Sequence, residues 1–208
     1  MIFEKHSELR GKHATLAPSQ PHWLRYSEEQ LYQKYVSGYA QSMGTSLHEL
    51  AETLIRNNLK LKKNDELVVL SHLLNDGIPR NVIDIERIYG NLRNYVNDSI
   101  GFKLTPEQIL YYSPYCFGTA DAISFRNNFL RIHDLKTGTL PAKMEQLLVY
   151  AALFCLEYKI KPGEIDVELR IYQNDEILHH EPTAEDILPV MDAIVQNSRI
   201  LERIHEEG

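Results

Sequence analysis

Apolar residues recur at helical spacing from Thr45, with Leu47, Leu50, Ala51, Leu54 and Ile55 on one face, and Arg56, Lys60, Lys62 and Lys63 gather where cations complement a helix C-terminus. The spacing predicts an amphipathic helix ending in that basic group. Asn64 or Asp65 can cap a second helix to about Leu74, which Gly77 and Pro79 end, and a third is expected over 85–96. Upstream, 13–43 mixes Pro18, Pro21, Trp23 and several tyrosines with weak periodicity, so turns followed by short helical pieces are expected. Beyond Pro106 the texture changes to strands over 109–116, 120–126 and 129–135, the last two joined by Asn127-Asn128, a pair that tolerates positive φ and suits a two-residue hairpin turn. A helix over 142–158, an alternating strand over 164–173 (Ile165, Val167, Leu169, Ile171) and an acidic helix over 184–205 complete the reading. No repeat, low-complexity stretch or linker interrupts the chain. The expectation is a single α/β domain with a central mixed β-sheet flanked by helices: a mainly helical N-terminal part over 1–105, the sheet and its following helix over 106–174, and an acidic C-terminal helix within 175–208.

Composition narrows the class. A chain of 208 residues with 43% apolar and 25% charged residues suits one globular domain with a sizeable core and excludes disorder, collagen and disulfide scaffolds. Two cysteines, Cys116 and Cys155, can supply neither a disulfide framework nor the four thiolates of a zinc ribbon or iron–sulfur cluster, and they fit a reducing cytoplasm. Met1 to Lys5 carries no apolar leader, and no stretch approaches the ~18 apolar residues of a membrane span. The net charge of −7 weighs against a nucleic-acid partner, but its location weakens that objection. The acidic excess sits entirely in 175–208, where Arg199 and Arg203 are the only cationic side chains apart from histidines, and the rest of the chain is neutral.

The chemistry concentrates between Gly118 and Tyr150. Asp121 and Asp134 lie at equal distances from the Asn127-Asn128 turn, so antiparallel pairing sets them opposite each other on one face. Two carboxylates so placed repel unless a cation or a proton lies between them. Lys136, two residues beyond Asp134, returns to the same face. Oxygen ligands for Mg²⁺ or Mn²⁺ beside an ammonium group suit metal-assisted hydrolysis of a phosphodiester.

These residues resemble the PD-(D/E)xK nucleases, in the branch of RecB-type nuclease domains, lambda exonuclease and CRISPR-associated exonucleases. Asp121 matches the first acid and Asp134-Leu135-Lys136 the (D/E)xK element. Asp-Leu-Lys-Thr-Gly is close to that branch's Asp-Tyr-Lys-Thr-Gly, and Gln146 with Tyr150 matches its Gln-x-x-x-Tyr helix. Gly44-Thr-Ser-Leu-His48 is similar to the segment that carries a metal-site histidine, Leu16-Ala-Pro-Ser19 with Trp23 to the opening of phage-encoded relatives, and Gln173 to a strand glutamine of the same proteins. The resemblance implies a restriction-endonuclease-like core and a deoxyribonuclease, an exonuclease acting in phage DNA processing, recombination or repair and leaving 5′-phosphate and 3′-hydroxyl ends. It implies that His48, Asp121, Asp134 and the Leu135 carbonyl hold Mg²⁺ or Mn²⁺, that Lys136 positions or deprotonates the attacking water, and that Gln146 and Tyr150 support the lysine or the substrate. Ser19, Trp23, Arg25, Thr137 and Gln173 would meet the DNA. The cysteines that bind an iron–sulfur cluster in many relatives have no counterpart here, so no cluster is expected. Beyond DNA, a recombination or replication protein and a further copy of the chain are the partners to expect.

Each residue also has a plainer reading. Ser19, Trp23 and Arg25 could form an N-terminal core plug, Glu52 could orient His48 or be solvated, and the basic group after Ile55 could contact phosphate or serve as helix-end charge. Gln146 and Tyr150 could be ordinary packing, and His179-His180, with no recognised acidic or thiol partners, reads as exposed loop or strand edge. The rival function is a non-catalytic DNA- or protein-binding module on the same fold. An acidic DNA mimic is disfavoured by the neutral body.

Overall fold

A computed structural model describes residues 14–207. Its first long element, α1 (Glu28–Arg56), begins well before Thr45. A capping box starts it: the Gln30 N–H donates to Ser27 Oγ at 3.3 Å, and the Ser27 N–H donates to Gln30 Oε1 at 2.9 Å. The expected broken pieces over 13–43 are therefore mostly one continuous helix. Periodicity there is weak because the first half is only half-covered: Tyr35, Val36 and Tyr39 pack partly buried against the core, and full burial along α1 starts at Met43. Before it, a 3₁₀ turn at Pro21–Arg25 buries no residue, so the plug reading of Trp23 and Arg25 is not met. The Trp23 indole N–H donates to the Ala17 carbonyl at 3.0 Å and closes a local loop. Because α1 ends at Arg56, Lys60, Lys62 and Lys63 lie in the exposed segment beyond it rather than in its last turn.

Helices α2 (Glu66–Asn75) and α3 (Ile85–Gly101) follow, the latter capped by Asp84, which accepts from the Arg87 N–H at 3.3 Å. The sheet comprises β1 (Thr105–Ser113), β2 (Cys116–Arg126), β3 (Phe129–Leu135), β4 (Asp166–Gln173) and β5 (Glu176–His180), in spatial order 1-2-3-4-5. Strands β1, β2 and β3 form an antiparallel meander, β4 runs parallel to β3, and β5 returns antiparallel to β4. Helix α4 (Glu145–Tyr158) connects β3 to β4, and α5 (Ala184–Glu207) closes the chain. The α/β mixed sheet is as expected, with one addition. The segment around His179-His180 is a paired edge strand, made by a turn in which Asn174 and Asp175 adopt φ of 52° and 60°, as Asn127 and Asn128 do at 51° and 59°.

Two apolar layers hold the sheet. Leu47, Leu54, Leu73, Leu92 and Tyr95 of α1–α3 pack on Ala122, Leu135 and Tyr172. On the opposite face, Leu147, Leu153 and Ile187 of α4 and α5 pack on Leu110, Leu130, Ile132 and Ile171. Fully burying each such side chain is worth about 1.5–3 kcal/mol. The C-terminal end of β3 is consequently sandwiched: Leu135 points to α1, while Asp134 and Lys136 turn toward α4. Among the described residues no helix is long and apolar enough to cross a membrane. The Met1 to Lys5 segment, read for a leader, lies outside the described residues.

Candidate functional site

Register builds the site. Ala122 pairs with His133 and Ile123 with Ile132, and Asp121 and Asp134 lie one step beyond this end of the β2–β3 ladder, close enough for each to act on the other's charge. In the next strand Pro106 pairs with Ala122 and Gln108 with Ala120, which sets Glu107 opposite Asp121. Three carboxylates thus form a row across β1, β2 and β3.

Helix α1 adds His48. Its Nε2 lies 3.0 Å from the Leu135 carbonyl, and its Nδ1 lies 3.6 Å from Asp121 Oδ2 and 3.9 Å from Glu107 Oε1. Gly44, one turn earlier, lets the helix approach this closely, since a Cβ there would stand 3.2 Å from Thr137 Oγ1. Lys136 Nζ donates to Asp134 Oδ1 at 3.0 Å and to Gln146 Oε1 at 2.8 Å. The Leu135 N–H donates to Asp121 Oδ2 at 2.9 Å. Tyr150 donates to the Thr119 carbonyl at 2.6 Å, and its ring fills the space over Gly118, where a Cβ would come within 3.1 Å. Gln146 and Tyr150 are therefore positioning residues: one holds the lysine and the other holds the strand that carries Asp121.

Charge is unbalanced here. Burial, reinforced by Asp134, pushes the Asp121 carboxyl up to about 7, and burial also raises Asp134 and Glu107. Asp134 is 2% exposed, and its Oδ2 is buried without a hydrogen-bond partner. Three carboxylates beside one ammonium group call for a proton or a further cation. Hard oxygen donors with one imidazole suit Mg²⁺ or Mn²⁺, so the side chains present fit the ion that the resemblance implies.

The remaining sequence-predicted residues divide. Gln173 clamps the loop after Lys136, accepting from the Ala142 N–H at 2.9 Å and donating to the Gly138 and Leu140 carbonyls at 2.7 and 2.9 Å. The Thr137 carbonyl accepts from Arg87 Nη1 at 3.0 Å. A cleft of about 640 Å³ opens beside Lys136, walled by Val36, Ala40, Met43, Val82 and Leu140. Glu52 pairs with Arg56 at 2.7 Å rather than orienting His48, and Arg56 also donates to the Pro106 carbonyl at 3.3 Å. Ser19 and Arg25 are exposed and, with Trp23, make no polar contact to the site among the described residues.

His179, read without acidic partners, has two: Glu168 Oε2 at 3.3 Å and Glu181 Oε1 at 3.5 Å. This group resembles a metal site in composition. Its buried member, however, is already matched by cations, with Arg131 Nε 3.1 Å and Arg170 Nη2 2.9 Å from the Glu168 carboxylate. Glu168→Gln is expected to lower stability by about 2 kcal/mol in a thermal melt and to leave Mn²⁺ binding unchanged.

Sequence reasoning missed Glu107. Starting the first strand at Ile109 left it in a loop, and only a strand extended back to Thr105 brings it across from Asp121.

The fold and the site define an α/β protein with an acid, acid, lysine and histidine cluster at one sheet end. The chain belongs to a family described as a protein of unknown function (DUF2800), whose profile matches residues 13–175. Neither the curated proteins nor the solved structures provide a match. The matched span includes every residue of the cluster.

Proposed function

We propose that the protein is a divalent-metal-dependent deoxyribonuclease of the PD-(D/E)xK type, releasing nucleotides from DNA ends. The observation that carries this reading is the Lys136 ammonium, held between Asp134 Oδ1 and Gln146 Oε1 next to a buried carboxylate oxygen without a partner. The mixed sheet flanked by helices and the continuity of the motif set with His48 support it.

Asp121, Asp134 and His48 would hold Mg²⁺ or Mn²⁺, which supplies Lewis-acid polarisation of the phosphate and a lowered water pKa. Lys136 orients the attacking water and stabilises negative charge developing on the phosphoryl oxygens. Gln146 fixes the lysine, and Tyr150 fixes β2. Gln146→Ala removes one of the two anchors of Lys136 and is expected to lower kcat by about 10-fold with KM little changed, as measured in steady-state cleavage.

A nucleic-acid polymer also fits the neighbouring surface. Ile109 pairs with Thr119 and Tyr111 with Phe117, two and four positions along the ribbon from Glu107 and Asp121. Leu110 and Gly118 face α4, so Tyr111 and Phe117 face away from it, exposed, with their rings stacked at 6.3 Å. Bases stack on such pairs for about 1–3 kcal/mol each. Phe117→Ala is expected to raise KM for single-stranded DNA about 10-fold at unchanged kcat.

The function is tested with end-labelled linear single- and double-stranded DNA in Mg²⁺, Mn²⁺ or EDTA. Metal-dependent release of labelled nucleotide with a 5′-phosphate is expected. DNA binding without cleavage under every condition would point instead to the non-catalytic module.

A further inference from the structure

Outside the acidic cluster, the first half of α1 carries a row of apolar side chains that faces a cleft as well as the core. Val36, Ala40 and Met43 fall at i, i+4 and i+7 and so share one helix face. They wall the cleft of about 640 Å³ beside Lys136, together with Leu140 of the loop that follows the lysine and Val82 of a 3₁₀ turn at Arg80–Val82. Ala40 and Leu140 are exposed, so the cleft is open to solvent on their side. Its volume falls within the range of roughly 300–1,000 Å³ in which pockets enclose small organic ligands.

The loop wall is held from two sides. Buried Gln173 binds it at the Gly138 and Leu140 carbonyls and the Ala142 N–H, and Arg87 Nη1 donates to the Thr137 carbonyl at 3.0 Å. Helix α1 approaches the same loop at Gly44, where a Cβ would stand 3.2 Å from Thr137 Oγ1. A loop fixed at four backbone atoms presents its wall with little ordering cost when a ligand arrives. Charge selects that ligand. In a chain of net charge −7, no carboxylate among the described residues lines the cleft, and its charged groups are Lys136 and Arg87. Cations at one end of apolar walls suit a molecule with an anion at one end and flat apolar faces beyond it, and a nucleotide is such a molecule. Lys136 belongs both to the cleft wall and to the acid cluster, so a phosphate held there leaves its base and sugar beside the cleft. A base reaches such a pocket only when it is out of the duplex stack.

We propose that this cleft seats the unpaired base and sugar of the nucleotide whose phosphate is cleaved, so that DNA ends enter the site single-stranded. The inference rests on the deoxyribonuclease reading and deepens it by naming the substrate as an unpaired end. A single strand offers its terminal base without penalty, whereas a blunt duplex must first unpair and unstack it. Ala40 and Leu140 are then specificity-determining residues, since they line the cleft and stand outside the acid cluster.

The test is equilibrium dialysis of the full chain in Mg²⁺ against two labelled probes that differ in the base, deoxyadenosine 5′-monophosphate and 2-deoxyribose 5-phosphate. Wild type is expected to bind the nucleotide about 10-fold or more tighter than the sugar phosphate. Ala40→Trp, which fills the cleft from an exposed position, should erase that difference, and Leu140→Ala should reduce it several-fold, with circular dichroism melts checking that both variants fold. In cleavage, wild type should prefer single-stranded DNA over the same sequence as a blunt duplex by about 10-fold, and Ala40→Trp should lose the preference. Equal affinity for the two probes, or a base-dependent difference that survives in Ala40→Trp, would overturn the inference, and continued cleavage of DNA by wild type would then leave the nuclease reading standing. Base-dependent binding that Ala40→Trp abolishes, with no cleavage in any divalent metal, would overturn the nuclease reading and leave a nucleotide-binding cleft.

Discussion

Lys136→Met is expected to lower the proposed metal-dependent DNA cleavage by about 10³-fold while Mn²⁺ binding stays within a few-fold of wild type. The separation follows from where the ammonium sits. It contacts Asp134 Oδ1 and Gln146 Oε1, and neither contact is a metal bond, so a methionine of similar length removes the charge and leaves the acids in place. The loss should fall on kcat, because an ammonium that acts on developing phosphoryl charge contributes more in the transition state than in the bound substrate. Removing a cation beside Asp134 also favours an added metal ion, so any change in Mn²⁺ affinity should be toward tighter binding. Cleavage within 10-fold of wild type would remove Lys136 from the chemistry, and lost Mn²⁺ binding would show that the substitution had disturbed the acids.

Asp121→Asn should abolish the activity and, without metal, stabilise the protein at alkaline pH. The Asp121 carboxyl is raised from an ordinary 3.8 to about 7, first by burial and then by Asp134. The folded chain therefore binds a proton between those values that the unfolded chain releases. The stabilising contribution of that proton is fully present below about pH 4 and is lost as pH rises through about 7. In EDTA, wild-type stability should accordingly fall between pH 5 and pH 8. Asparagine keeps an oxygen for the Leu135 N–H and carries no charge, so the variant should be the more stable at pH 8 by on the order of 2 kcal/mol, about 5 °C in Tm, with the advantage fading near pH 4. Its Mn²⁺ affinity should drop by more than ~100-fold, since a ligand is lost rather than a supporting group. Thermal melts across pH, with EDTA and with Mn²⁺, read both effects.

The parts of the site legible in the sequence were those fixed by local geometry. The Asn127-Asn128 turn sets the β2–β3 register and so brings Asp121 and Asp134 together one step beyond its last pair, and a two-residue step places the Lys136 ammonium on Asp134. The i, i+4 spacing put Gln146 and Tyr150 on one helical face, although their partners, Lys136 and the Thr119 carbonyl, needed the tertiary structure. Glu107 was hidden because its strand is irregular at that residue, and a positive φ in a glutamate has no composition signal. The early start of α1 was hidden because its first turns are solvent-exposed, so only the capping pair Ser27 and Gln30 marks it. The strand β5 was signalled by Asn174-Asp175 just as the central hairpin was by its asparagines, but its mostly exposed residues lack the apolar alternation that identified the others. That Gln173 holds the loop after Lys136 was not legible, because it rests on backbone carbonyls brought in from 138–140.

The most direct measurement is the rate of acid-soluble nucleotide release from uniformly labelled linear DNA in Mn²⁺ by wild type and Asp134→Ala purified in parallel. Wild type is expected to release nucleotide, EDTA to abolish that release, and Asp134→Ala to give none above background. Equal release by the two proteins, or none from wild type in any divalent metal, would contradict it.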